Sequence, residues 1–151
     1  VSLRFEPASA KIQDRSHVGI SDAEIVQMMS AYRNFGFWRF DLDAGHFFAT
    51  EDVYRIFDMP FSTAPMNLVE TMSRVHDDDK PIMMETYEQA SLHRTGFHHT
   101  YRVKNGVGTY KMVRTVAQYR DNPDGGAGDI IGITYEFVEQ FRIFQFLEKE
   151  G

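Results

Sequence analysis

Phe97-His98-His99-Thr100-Tyr101-Arg102-Val103-Lys104-Asn105-Gly106 decides the fold. Phe97, His99, Tyr101 and Val103 alternate with His98, Thr100, Arg102 and Lys104, which is the period of a strand with one apolar and one wetter face. Asn105-Gly106 is hairpin-turn chemistry, and Gly108 adds backbone freedom before the next run. That run, Tyr110 to Tyr119, sets Tyr110, Met112 and Val116 against Val113, Ala117 and Tyr119, so bulky groups on both faces predict an interior strand. Asp121-Asn122-Pro123-Asp124-Gly125-Gly126 reads as the most flexible loop. Ile131, Ile133, Tyr135 and Phe137 follow at period two as a third long strand.

Working backwards, the middle of the chain reads as short helices. Asp77-Asp78-Asp79 precedes an apolar stripe of Met83, Tyr87 and Ala90, and Pro81 fits only in a first turn, so the helix starts at Asp78 or Asp79. Asn67 and Glu70 form a cap-like pair ahead of Leu68, Met72 and Val75. Thr50, followed by Glu51 and Asp52, opens a helix whose buried side is Val53, Ile56 and Phe57, and Pro60 stops it. Earlier still, Trp38, Phe40 and Leu42 point one way and Arg39 and Asp41 the other, with Asp43-Ala44-Gly45 as the turn into a return strand, His46 to Ala49.

The first helix begins at Ser21, whose hydroxyl and the Glu24 carboxylate make a capping box, with Ile20 and Ile25 as the flanking staple. Ile25, Met28, Met29 and Tyr32 give it one apolar stripe, which the domain's own sheet or a second copy must cover. At the other end Phe137, Phe141, Phe144 and Leu147, with Ile143 and Phe146, predict a terminal helix. The expected division is a leader at 1–20, a flanking helix at 21–34, a domain at 35–139 and a signalling or linker segment at 140–151. The fold class is α+β: a five-stranded antiparallel sheet with short helices on one face, plus a helix at each end.

At 151 residues the chain suffices for one core, and a hydrophobic share of 42% against five prolines favours a folded chain. A formal charge of −6 with no Lys/Arg cluster argues against nucleic acid. The absence of cysteine removes disulfides, thiolate catalysis, Cys-built zinc sites and chromophores linked through Cys, and it fits a cytoplasmic protein. No apolar run approaches the roughly 20 residues of a membrane span, so no direct membrane contact is expected.

The order of elements resembles the PAS family, in its subgroup with a Trp-containing first strand. Gly36-Phe37-Trp38-Arg39-Phe40-Asp41 resembles that opening, Thr50 stands where the first short helix has Ser, and His76-Asp77-Asp78-Asp79-Lys80 resembles a His-Pro-Glu-Asp-Arg segment with Asp77 replacing Pro. Phe97, Tyr101-Arg102, Gly106 and Tyr110 follow the strand–turn–strand signature, with Met112 at its usual aromatic position. Gly132 and Glu139 match the last-strand pattern, from which Glu136, Phe137 and Val138 depart. The resemblance covers roughly residues 35 to 139. It implies a sheet cupping a small cavity beneath the helices, and a place beside histidine kinase, cyclic-dinucleotide or other signalling output modules; members of the family hold haem, flavin, small acids or nothing.

Residue chemistry narrows this. His76 with Asp77, Asp78 and Asp79 can be drawn as an acid/base or hard-metal site, but consecutive residues at a helix start cannot converge on one ion, and helix capping is the preferred role. His98 and His99 face opposite sides of a strand and cannot jointly grip a metal; His99 shares the face of Phe97 and Tyr101. His93 is the one residue placed near where haem-binding relatives supply a ligand, with nothing to support it. Gly106-Val107-Gly108 and Gly125-Gly126-Ala127-Gly128 lack the strand-to-helix context of a phosphate loop. No catalytic or metal residues are expected, and no cofactor; a small organic ligand is the alternative, ahead of haem or flavin. Trp38, Phe57, Met72, Tyr87, His99, Tyr101, Met112 and Arg114 are the cavity-lining candidates, with Tyr and Arg orienting a carboxylate or ring. Ile25, Met28, Met29, Tyr32, Phe137, Phe141, Phe144 and Leu147 are the candidates for pairing or relay. The expected function is a homodimeric sensory input domain, with ligand-free dimerisation or protein interaction as the rival and a small-molecule enzyme behind both.

Overall fold

Alternation along each strand divides the sheet into two unlike faces. The computed structural model describes residues 13–32, 34–106 and 108–137. After helix α1 (Asp22–Tyr32) come strands β1 (Phe35–Asp41) and β2 (His46–Ala49), then helices α2 (Glu51–Ile56), α3 (Leu68–Ser73) and α4 (Lys80–His93). Strands β3 (Phe97–Lys104), β4 (Tyr110–Arg120) and β5 (Asp129–Glu136) follow. The five strands form one sheet in the order β2-β1-β5-β4-β3, every neighbouring pair antiparallel. The expected α+β architecture is therefore the observed one, with β4 in the interior; the C-terminal helix expected beyond residue 137 lies outside the described residues.

On the helix side, Trp38, Phe47, Phe97, Tyr101, Val113 and Ile130 are buried beneath Val53, Ile56 and Phe57 of the α2 region and Met83 and Ala90 of α4. Each fully buried aliphatic side chain of this kind contributes about 1.5–3 kcal/mol. Two glycines permit the close approaches. A Cβ on Gly36 would run into Val53, so α2 lies flat on β1 only because that position is bare. Gly132 sits in the same relation to the Trp38 ring. Ile131, Ile133 and Tyr135, the apolar residues that mark β5 in the sequence, lie on the other face; those it sends inward are Ile130 and Thr134.

Two caps are as expected and two differ. Ser21 and Glu24 form the reciprocal box, at 3.1 Å and 2.9 Å, and Asn67 Oδ1 accepts from the Glu70 N–H at 3.1 Å. Thr50 precedes α2 but does not cap it: its hydroxyl accepts from the Phe37 N–H at 3.0 Å, and its own N–H donates to the Phe37 carbonyl, so it ties the helix start to β1 instead. Asp77–Asp79 forms a short 3-10 helix ahead of α4, whose first turn accommodates Pro81. Its cap is His76, whose Nδ1 accepts from the Asp78 N–H at 3.1 Å, rather than any of the three carboxylates. The loop between β4 and β5 is stitched down, since Asp43 Oδ1 accepts from the Ala127 N–H at 2.8 Å and the Tyr119 hydroxyl donates to the Ala127 carbonyl at 2.6 Å.

Candidate functional site

A chain of buried hydrogen bonds crosses four strands beneath the helices. The Trp38 indole N–H on β1 donates to Thr134 Oγ1 on β5 at 2.9 Å, the Thr134 and Thr115 hydroxyls stand 2.8 Å apart, and Thr115 meets the Tyr101 hydroxyl on β3 at 3.1 Å. Register explains why these groups meet: Thr115 pairs directly with Thr134, and each lies on the inward-facing alternation of its strand. A dry interior strengthens such bonds and makes each unpaired group costly, so the chain holds four strands in one arrangement.

Aromatic rings pack around it. The Tyr87 ring lies 5.9 Å from Trp38 and 5.1 Å from Phe97, and the Phe57 ring is stacked on Tyr101 at 6.5 Å. Burial raises the Tyr87 phenol well above its ordinary value, with Tyr101 adding to the shift. Burial also pushes the Tyr101 phenol up to about 12, against the lowering effect of its threonine partners. Both stay neutral, and Tyr101 acts as a hydrogen-bonding group rather than a base.

His99 flanks the chain, its ring 5.0 Å from that of Tyr101. Its Nδ1 is buried without a hydrogen-bond partner, and burial lowers its pKa, against the raising effect of Asp79. A neutral imidazole with one idle ring nitrogen is a ready acceptor or donor for an interior polar group.

Of the eight cavity-lining candidates, Trp38, Phe57, Met72, Tyr87, His99 and Tyr101 stand together on this helix side. Met112 and Arg114 do not join them. They belong to the opposite alternation of β4, Met112 being 41% exposed and Arg114 donating to the Tyr135 hydroxyl at 3.3 Å on the outer face. Thr115 and Thr134 escaped the sequence reading; mid-strand hydroxyls in step with Val113, Ala117 and Ile130 were the available signal.

Of the pairing candidates, Met29 and Phe137 border the outer side of the sheet. Met28, Met29 and Tyr32 of α1 are exposed and Ile25 is half-buried. Met29 borders a groove of about 430 Å³ that Phe35, Arg114, Val116, Ile133, Tyr135 and Phe137 complete. Phe137 extends β5 by donating its N–H to the Met112 carbonyl at 2.7 Å. Phe141, Phe144 and Leu147 lie outside the described residues.

Asp79 binds Arg102 three times, through the backbone N–H and Nε at 2.9 Å each and Nη2 at 2.8 Å, which clamps the start of α4 to β3 and lowers the carboxyl pKa. His93 is exposed at the end of α4, where its Nε2 pairs with Gln89 Oε1 at 3.0 Å, and His98 is exposed on β3. No group of three or more His, Cys, Asp or Glu placed to hold a metal occurs among the described residues.

The fold has counterparts among known proteins. A family model described as PAS fold matches residues 46–134. Among solved structures, the N-terminal domain of a diguanylate cyclase with PAS/PAC sensor from Marinobacter aquaeolei is 16% identical with a TM-score of 0.57, covering 68% of this chain and 94% of that one. A sensory box histidine kinase/response regulator from Burkholderia thailandensis E264 is also 16% identical at a TM-score of 0.57, covering 74% and 82%. The PAS domain of a protein from Colwellia psychrerythraea is 12% identical at 0.53, covering 77% and 98%. No curated protein matches the chain.

Proposed function

Since this chain belongs to the PAS family, whose model spans its residues 46–134, we propose that it is a sensory input domain that biases a signalling output module through its packing state. The observation that carries the reading is the buried chain Trp38–Thr134–Thr115–Tyr101, because β5 presents Thr134 to the helix side and the adjacent Tyr135 to the outer face. Tyr135 packs on Phe35 with ring centroids 4.9 Å apart, and two residues on, Phe137 leads out of the strand. A change in what the helix side holds, whether a small organic ligand at His99 or a repacked Tyr87, shifts β5 and with it the exit of the chain. An occupant drives this only by binding one arrangement more tightly than the other. Histidine kinases and diguanylate cyclases are the output classes that the related sensor domains suggest.

The reading gives the domain no turnover of its own, no haem or flavin, and a place in the cytoplasm; among the described residues no helix is long and apolar enough to cross a membrane. The test is a chimaera in which this chain replaces the PAS domain of a histidine kinase. Thr134→Val, if it leaves the fold intact, changes autophosphorylation at least about twofold; output indifferent to Thr134→Val and to Trp38→Phe alike removes the reading.

Ligand-free homodimerisation is the second reading, favoured by the exposed apolar side chains Met28, Met29 and Tyr32 on α1 and Met112 and Val116 on the sheet. Sedimentation across a concentration series tests it: Phe141→Ser with Phe144→Ser weakens a dimer, and a strictly monomeric parent chain eliminates one.

A further inference from the structure

The groove on the outer face has the composition of a binding site for one class of small molecule. Phe35, Val116, Ile133 and Phe137 give it apolar walls, while Tyr135 and Arg114 supply its polar groups. A volume of about 430 Å³ lies within the usual range for small-molecule sites.

Arg114 is underused. Of its five N–H donors, Nη1 reaches the Tyr135 hydroxyl at a long 3.3 Å, the guanidinium carbon stands 4.3 Å from the Phe137 ring centroid, and Nε is buried with no partner. Among the described residues no carboxylate pairs with it. The acidic residues at the two ends of β5 are taken by other bases: Glu136 by Lys111 at 3.1 Å, and Asp129 by Arg120 at 2.8 Å and Arg39 at 3.3 Å. A cation held among apolar side chains, with no counter-charge among the described residues, is a costly arrangement that an incoming anion relieves. A guanidinium donates to a carboxylate through two parallel charge-assisted bonds, the second of which would use the idle Nε–H once the side chain moves off the Phe137 ring. Arg114 is the sole base among the described residues that line the groove, so the matching head carries a single charge, and the walls call for an apolar remainder.

We propose that this groove binds an amphiphilic monocarboxylate, an aliphatic or aryl acid whose carboxylate pairs with Arg114 while its apolar part lies along Phe35, Val116 and Ile133. The site is on the opposite side of the sheet from His99 and Tyr101, and the proposal does not rest on the sensory reading.

The experiment titrates decanoate and decanol, each below its aggregation concentration, into the full chain at neutral pH and follows amide shifts by NMR. Decanoate binds saturably and about tenfold more tightly than decanol, with shifts at Phe35, Val116 and Ile133 rather than at His99 and Tyr101. Arg114→Gln removes the preference by weakening decanoate far more than decanol; Arg114→Lys, which keeps the charge but loses the fork, retains part of it and carries the test if Arg114→Gln does not fold. Equal affinities for acid and alcohol, or shifts confined to the helix side, overturn the proposal. So does the absence of binding by the intact chain, whether Phe141→Ser with Phe144→Ser then restores it, which identifies the chain's own segment as occupant, or dilution does, which identifies a second copy.

Discussion

The Trp38 indole lies so closely over Gly132 that a Cβ there would come within 2.5 Å of Trp38 Cζ2. The same hypothetical carbon meets the Val116 carbonyl oxygen at 2.8 Å, so neither a ring nor a backbone has room to give. Gly132→Ala therefore costs about 1–3 kcal/mol, the range of an overpacked core, seen as a lower urea midpoint at unchanged slope. Trp38→Phe removes only one of the two obstructions and recovers part of the loss in the double variant; strictly additive losses would contradict the contact.

Thr134 serves two partners, accepting from Trp38 and bonding Thr115. Thr134→Val keeps the shape but strands the indole N–H in the dry interior, which costs about 1–3 kcal/mol when left unpaired, and leaves the Thr115 hydroxyl bonded to Tyr101 alone. The measured loss of stability exceeds that of Thr100→Val, at an exposed position on β3, by at least about 1 kcal/mol. Equal losses would mean that the buried chain contributes nothing specific.

His99 gives the fold a pH limb near neutrality. Its folded pKa is held below the ordinary 6.5, first by burial, so on acidification the unfolded chain takes up this proton before the folded one does. The stability that depends on a neutral His99 is complete above about pH 6.5 and is lost as pH falls from there toward the lowered folded value. Denaturation midpoints between pH 7.5 and 5 fall more steeply for the parent chain than for His99→Gln, and parallel profiles rule the effect out.

Period and caps made most of the architecture legible. The alternation from Phe97 to Val103 gave β3 its buried face, the capping pairs at Ser21 and Asn67 located α1 and α3, and Asn105-Gly106 marked the turn into β4. Which face of a two-sided strand meets the helices was not legible. On β4 the outward set Met112 and Val116 is as apolar as the inward set Val113 and Ala117, and on β5 the outward Ile131 and Ile133 outshine the inward Gly132 and Thr134. Sheet parity assigned by bulk alone therefore sent Arg114 to the wrong side. Thr50 shows the same limit at a helix start: a hydroxyl of the right type at the right place bonded across to Phe37 because the neighbouring strand offered a competing donor.

Asp79 and Arg102 supply a second, separate acid limb. The Arg102 side chain and backbone N–H hold the Asp79 carboxyl below its ordinary 3.8, so its contribution is fully present above that value and disappears as pH falls through the lowered folded pKa. Asp79→Asn loses the charge at once: the variant is less stable at neutral pH, and in a titration the gap to the parent narrows as pH falls below 3.8. Salt trims the gap without abolishing it, because the Arg102 side chain is 38% exposed whereas that of Asp79 is 16% exposed. Asp79 acts below 3.8 and His99 below 6.5, so each variant removes its own limb, and because the Asp79 charge also raises the His99 pKa, Asp79→Asn deepens the His99 limb while His99→Gln leaves that of Asp79 in place. A single substitution that flattened both would show the two groups to be one coupled unit, with the clamp on α4 setting the environment of the buried imidazole.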